Sequence, residues 1–311
     1  MVKVFEVFSP KLAMVPQNQL HVSPHIKEKI SEGANIVRLT KQYGTFLVLL
    51  PALWSLTLAG QGKLRPWMVL VFASGAFLMR SAGCVINDIA DRNFDGHVER
   101  TKNRPLPAGT ITLKEAIIIF ALLVFLSACL AFVLNPLSIF LSFIALILAL
   151  VYPFTKRFFN VPQCFLGLAF GWGAIIAWAA VRGTLELPAW IIFFSTVFWT
   201  MGYDTIYALL DRKDDLKIGI KSSAILFGEY TWQAVAVLFT VTVALLIIVG
   251  WLSGLGLLYY FSVAIVLILF ARQVYDIKQI INPQRIFATY KSNGFVAIII
   301  LMGIFGGYFY K

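Results

Sequence analysis

Nine runs of about 20 apolar residues dominate this chain, each bounded by charge, Gly or Pro, and each is long enough to cross the hydrocarbon core of a bilayer as a helix. They fall at 42–60, 67–86, 113–134, 136–154, 162–182, 188–209, 232–252, 256–276 and 293–310. What remains is too little polar surface to solvate a soluble body of 311 residues, since 59% are hydrophobic and only 13% charged. The expected fold is therefore an all-α polytopic membrane protein with nine transmembrane helices. Residues 1–38 read as a polar cytoplasmic leader and 39–311 as a single transmembrane domain. The leader lacks a continuous apolar stretch and a small-residue cleavage site, and Glu6 argues against a mitochondrial transit peptide.

The net charge of +11 does not point to nucleic acid, because the basic residues sit beside apolar runs. Lys and Arg crowd the stretch up to residue 41 and the segments 87–114, 156–157, 210–231 and 272–291, whereas the opposite side carries only Lys63, Arg65, Arg182 and Lys311. That asymmetry places the N-terminus and the two long polar loops, 87–112 and 210–231, in the cytoplasm, and an odd number of spans puts the C-terminus outside. The bacterial inner membrane is the expected location. Asn135-Pro136 and Ser253-Gly254-Leu255 are too short to join anything but antiparallel neighbours. Three cysteines, Cys84, Cys129 and Cys164, lack metal-ligand spacing and read as small core residues. Gly167, Gly171 and Gly173 permit close helix packing in the fifth span.

Acidic residues concentrate at two span ends. Asn87, Asp91 and Asp95 recur every four residues, so one further helical turn beyond the membrane would line their oxygens on one face, with Asp88 beside them. Asp204, Asp211 and Asp215 repeat the device, with Asp214 alongside and Tyr207 near that face. Stacked carboxylates repel unless cations lie between them, and an oxygen-only donor set without His or Cys suits Mg²⁺. A single Asp-x-x-x-Asp would read as solvated loop charge. Two, on one side and each ending a span, read as a site. Arg92, Arg100, Lys102 and Arg104 interleave with the first cluster, and Arg212, Lys213, Lys217 and Lys221 with the second. Carboxylates holding Mg²⁺ beside Arg and Lys make a receptor for a polyanion such as diphosphate, although the topology rule alone would supply some of these cations. Tyr152 and Lys156, four apart at another span end, can reach the same centre or merely anchor the interface.

On these residues the chain resembles the UbiA-type family of intramembrane aromatic prenyltransferases over nearly all of its length after the leader. Asn87 to Asp95 matches that family's NDxxDxxxD signature and Asp211 to Asp215 its DxxxD. The words GCVINDIADRNFDGHVERTKNRPLPAG and YDTIYALLDRKDDLKIGIKSSAILFG are similar to the branch acting on 4-hydroxybenzoate in ubiquinone biosynthesis. The resemblance implies nine helices around a central cavity, Mg²⁺ as cofactor, and polyprenyl diphosphate and 4-hydroxybenzoate as substrates. It assigns Asn87, Asp91, Asp95, Asp211 and Asp215 to the metal–diphosphate site and Arg100, Arg104, Tyr152 and Lys156 to diphosphate contact. Asp204, Tyr207, Lys217 and Lys221 join as candidate substrate contacts. The family's usual Asp-Lys-Pro is replaced by Thr40-Lys41-Gln42, which leaves Arg38 and Lys41 unassigned.

Arg80 is the one basic residue well inside a span. Seven residues, two helical turns, separate it from Asn87, about 10 Å along one face, so it points below the acidic site. Few deep acids exist to pair with it, and the expected role is bidentate binding of the acceptor's carboxylate. A 1,4-dihydroxy-2-naphthoate prenyltransferase is the alternative enzyme, with the same donor site. A divalent-cation transporter would need acids within the spans, and a phosphatidyl-alcohol transferase would need a D-G-x-x-A-R pattern that is missing. Protein partners are not identified by the sequence.

Overall fold

The computed structural model describes residues 24–98, 101–279 and 282–309. Its elements are α1 (Pro24–Ile36), α2 (Tyr43–Ala59), α3 (Pro66–Asp91), α4 (Leu113–Ala131), α5 (Pro136–Thr155), α6 (Pro162–Arg182), α7 (Leu187–Ala208), α8 (Arg212–Ile218), α9 (Ser223–Phe227), α10 (Thr231–Leu252), α11 (Leu257–Gln279), α12 (Pro283–Lys291) and α13 (Asn293–Phe309), with a short 3₁₀ turn at Asp95–His97. No strand occurs among the described residues.

Among the described residues, seven stretches are long and apolar enough to cross a membrane: α3, α4, α5, α6, α9–α10, α11 and α12–α13. The other two expected spans are helices of a different character. α2 is apolar but only 17 residues long. α7 has the length, yet Ser195, Thr196, Thr200, Asp204 and Thr205 dilute its apolarity. Both lie inside the bundle, where the packing of protein on protein replaces contact with lipid.

Helix starts are written locally. Proline occupies the first turn of α3, α5, α6, α7 and α12, where a missing N–H costs nothing. α4 opens with a capping box, in which Thr112 Oγ1 accepts from the Glu115 N–H at 3.3 Å and the Thr112 N–H donates to Glu115 Oε2 at 2.7 Å.

The core is built from α2, α6, α7, α10, α11 and α13, with Trp54, Trp199, Tyr203, Tyr259, Phe239 and Phe270 as its largest buried side chains. Lipid tails are as apolar as leucine, so close packing and internal hydrogen bonds must hold such helices together. Both are present. A Cβ on Gly167 would sit 2.8 Å from the Val197 carbonyl oxygen, and one on Gly171 would sit 3.1 Å from the Phe193 ring, so these glycines let α6 lie against α7 within the bundle. Trp54 Nε1 donates to the Ala297 carbonyl and Trp199 Nε1 to Asn293 Oδ1, each at 2.9 Å, and the Tyr259 hydroxyl donates to the Leu246 carbonyl at 2.8 Å.

α4 fully buries only Ala116; Ile119, Phe120 and Leu123 are half-buried against the cluster around Val85, and its outer face, with Ile118, Leu122, Phe125 and Leu126, is exposed. Consequently Cys129, expected in the core, is exposed on this helix, while Cys84 alone of the three is buried. An apolar run in a membrane helix does not distinguish core from lipid face. The leader also differs from a purely polar tail. Its residues 1–23 lie outside the described residues, but α1 docks on the loop before α4, burying Ile36 against Val85, Ile111 and Ala116. Lys29 pairs with Glu115 at 2.9 Å, and the Thr110 hydroxyl donates to Glu32 at 2.7 Å.

Candidate active site

A cavity of about 550 Å³ opens among α2 to α7. One end is polar. The C-terminal turns of α3, α5 and α7 deliver Asn87, Asp91, Tyr152, Lys156, Asp204 and Tyr207 to it. Connecting segments add Asp95, Arg104, Asp211 and Lys221, and α8 adds Asp215. The other end is apolar, walled by Phe72, Met79, Val124, Phe143, Leu146 and Phe170.

The two acidic segments reach this cavity differently from the single helical faces expected. α3 stops at Asp91, so Asp95 arrives through the 3₁₀ turn, which the Thr101 hydroxyl fixes by donating to the Asp95 carbonyl at 2.8 Å. α7 stops at Ala208 and α8 starts at Arg212, so Asp204 and Asp211 share the cavity without sharing a helix. The second segment is tied to the α5–α6 connection. The Lys221 N–H donates to the Lys156 carbonyl at 2.9 Å, Lys221 Nζ to the Phe158 carbonyl at 3.0 Å, and the Ser223 N–H to Gln163 Oε1 at 3.0 Å.

Charge pairing follows a definite order. Asp91 is almost fully buried; its Oδ2 accepts from Asn87 Nδ2 at 3.0 Å and from Lys156 Nζ, while its Oδ1 is buried with no hydrogen-bond partner. Arg104 Nη1 bridges Asp95 Oδ2 at 2.9 Å and Asp88 Oδ1 at 3.0 Å. Arg38 Nη2 reaches Asp88 Oδ1 at 2.8 Å and Oδ2 at 2.7 Å. Lysine and arginine thus separate the carboxylates. Among the described residues no group of three or more His, Cys, Asp or Glu is gathered into a ready metal cage.

Arg80 also lines the cavity, between its polar and apolar parts. Its guanidinium lies over Gly44, where any Cβ would collide with it, and donates to Cys84 Sγ. No ion pair to it occurs among the described residues. Lys217 does not line the cavity; it is exposed and pairs with Asp214 at 3.1 Å. Arg100 lies outside the described residues.

Sequence reading missed several cavity residues. Asp88 was seen only as one more acid, and Arg38 was left without a role. Arg38 adopts a left-handed backbone (φ 58°) between α1 and α2, a conformation no sequence pattern signals in an arginine. Tyr203 and Tyr290 were not singled out; Tyr290 comes from α12, and its ring lies 4.7 Å from that of Tyr207. Only chain topology brings these tyrosines together.

A model of the UbiA prenyltransferase family matches residues 48–299. The chain is 46% identical over 280 residues to a Citrobacter koseri protein named 4-hydroxybenzoate octaprenyltransferase, covering 89% of this chain and 96% of the relative. A Salmonella newport protein of the same name is 46% identical over 286 residues, 91% of this chain and 98% of its own. Among solved structures, an apo UbiA homolog from Aeropyrum pernix K1 superposes with a TM-score of 0.74 at 26% identity, over 84% of this chain and 96% of that one. A UbiA homolog from Archaeoglobus fulgidus, solved bound to DMAPP and Mg²⁺, superposes with a TM-score of 0.65 at 19% identity, over 90% and 100%, which is a likeness of fold. The chain therefore belongs to the UbiA prenyltransferase family.

Proposed function

We propose that this protein transfers a polyprenyl group from a polyprenyl diphosphate to the ring carbon ortho to the phenol of 4-hydroxybenzoate, releasing diphosphate, as a step of ubiquinone biosynthesis. The full-length likeness to proteins named for this reaction supports it. The observation that carries it is one cavity with two acidic segments and basic side chains at one end, an apolar chamber at the other, and Arg80 between.

The residues present fit a divalent cation. Asp91 Oδ1 is a buried carboxylate oxygen without a partner, and the surrounding donors are oxygen only, the chemistry of Mg²⁺. Asn87, Asp91 and Asp95 from the first segment and Asp211 and Asp215 from the second would hold it. When bound, it would neutralise diphosphate charge and so favour departure of that group. Lys156 and Arg104 lie where they contribute further positive charge to the same leaving group, with Tyr152 and Lys221 beside them. The apolar wall from Phe72 to Phe170 takes the start of the prenyl chain and keeps water from the electron-poor allylic carbon. Arg80 holds the acceptor's carboxylate, turning its ring toward that carbon. The carbon–oxygen bond to diphosphate breaks, the ring carbon bonds to the allylic carbon, and the ring loses a proton to regain aromaticity.

Nine transmembrane helices in one domain, 39–311, fit this reading, with α2 and α7 as the short and the polar members. Basic residues at the ends bearing the acidic segments favour a cytoplasmic mouth and the bacterial inner membrane. The test is a membrane assay with radiolabelled 4-hydroxybenzoate and a polyprenyl diphosphate, with and without EDTA. Label should pass into a lipid-extractable product only without chelator. Absence of that product with active, metal-replete membranes would refute the reading.

A further inference from the structure

Adjacent residues of the first acidic segment are treated in opposite ways. Asp91 keeps one carboxylate oxygen bare. Asp88 has neither oxygen free: Arg38 and Arg104 both donate to Oδ1, and Arg38 also donates to Oδ2, at 2.7–3.0 Å. Asp88 is 1% exposed, whereas each arginine side chain keeps 18% exposure and lines the cavity. The three residues come from three places: Arg38 from the turn after α1, Asp88 from α3, and Arg104 from the loop before α4.

A buried carboxylate saturated by two guanidinium groups offers no site to a cation, since a metal would have to displace both charge-assisted contacts. It can instead fix the two arginines. Each guanidinium carries five donors in a rigid plane, and Asp88 uses only part of each set. The remaining donors are held at the cavity mouth, with Arg104 already reaching on to Asp95 at 2.9 Å.

We propose that Asp88 is a positioning residue, not a metal ligand: it clasps Arg38 and Arg104 at the polar mouth, where together they receive the diphosphate. Through Arg38 the docked helix α1 becomes part of the donor site. The proposal rests on the reading that this mouth takes a diphosphate, and its test separates the two.

The readout is inhibition by inorganic diphosphate at fixed free Mg²⁺, together with the Mg²⁺ concentration giving half-maximal activity. Asp88→Asn should weaken inhibition about ten- to a hundredfold, the scale of one or two lost charge-assisted contacts, and leave the Mg²⁺ requirement unchanged. Asp91→Asn should raise the Mg²⁺ requirement. In a background lacking both guanidinium groups, Arg38→Ala with Arg104→Ala, Asp88→Asn should add much less than it does alone, because it acts through those two arginines. Should Asp88→Asn prove unfolded, Asp88→Glu, which retains the charge but displaces both arginines by one methylene, should show the same selective weakening. A raised Mg²⁺ requirement with unchanged diphosphate inhibition, or full additivity with the combined Arg38→Ala and Arg104→Ala variant, would overturn the proposal. If diphosphate fails to inhibit even the wild-type protein, the donor-site reading itself falls.

Discussion

Replacing Arg80 by Ala is the sharpest perturbation of the acceptor side. The guanidinium lies over Gly44, and its described contact is the soft acceptor Cys84 Sγ rather than a carboxylate. It is thus a cation poorly matched by its own protein and open to an anion from the cavity. Removing one side of a buried, hydrogen-bonded charge pair costs about 2–5 kcal/mol of binding. At about 1.4 kcal/mol per tenfold, the KM for 4-hydroxybenzoate should rise from about thirtyfold to a few thousandfold. Water entering the space left by the side chain will hold the effect toward the lower figure. The KM for the prenyl diphosphate should change less than about threefold, because Arg80 lies about 10 Å below Asn87 along α3. Gly44→Ala should reproduce the acceptor effect by pushing the guanidinium aside. Initial rates with each substrate varied at saturation of the other supply the numbers. Thermal stability in detergent should not fall in Arg80→Ala, since a half-buried charge without an ionic partner contributes little to folding. Equal weakening of both substrates, or of the diphosphate alone, would refute the assignment.

Further consequences are open to measurement. Asp91→Asn and Asp211→Asn should each abolish most turnover while eluting as monodisperse protein in detergent; near wild-type activity for either at limiting Mg²⁺ would break the two-segment site. Chelation by EDTA should stop product formation, and added Mg²⁺ should restore it. Gly167→Ala places a Cβ 2.8 Å from the Val197 carbonyl oxygen and should destabilise the bundle by about 1–3 kcal/mol, read from thermal melts. Thr112→Ala removes the capping box of α4 and should cost about 1 kcal/mol, with no change in either KM.

Much of this architecture could be read directly from the chain. Apolar runs of bilayer length, interrupted by Pro and charge, mark helices because the hydrocarbon core imposes a length and forbids unpaired backbone. The acidic segments were legible because carboxylates at regular spacing, beside cations, have few other uses. Three features were not. Helix ends cannot be fixed to a turn, so Asp95 and Asp211 reach the cavity from turns rather than from continuing helices. Lipid-facing and core apolar residues look alike, which is why Cys129 was misread. Long-range partners such as Arg38 with Asp88, or Tyr207 with Tyr290, are set by how helices distant in sequence are brought together.

The central claim is that both acidic segments serve one metal–diphosphate site at the mouth of an apolar cavity. Anomalous scattering from crystals grown with Mn²⁺ and a non-reactive prenyl thiodiphosphate tests it most directly. The account predicts manganese peaks within ligand distance of Asp91 and of Asp211 or Asp215, bridged by one diphosphate whose prenyl chain runs past Arg80 toward Phe143 and Phe170. Manganese bound at only one segment, or a diphosphate lying outside the cavity, would contradict it.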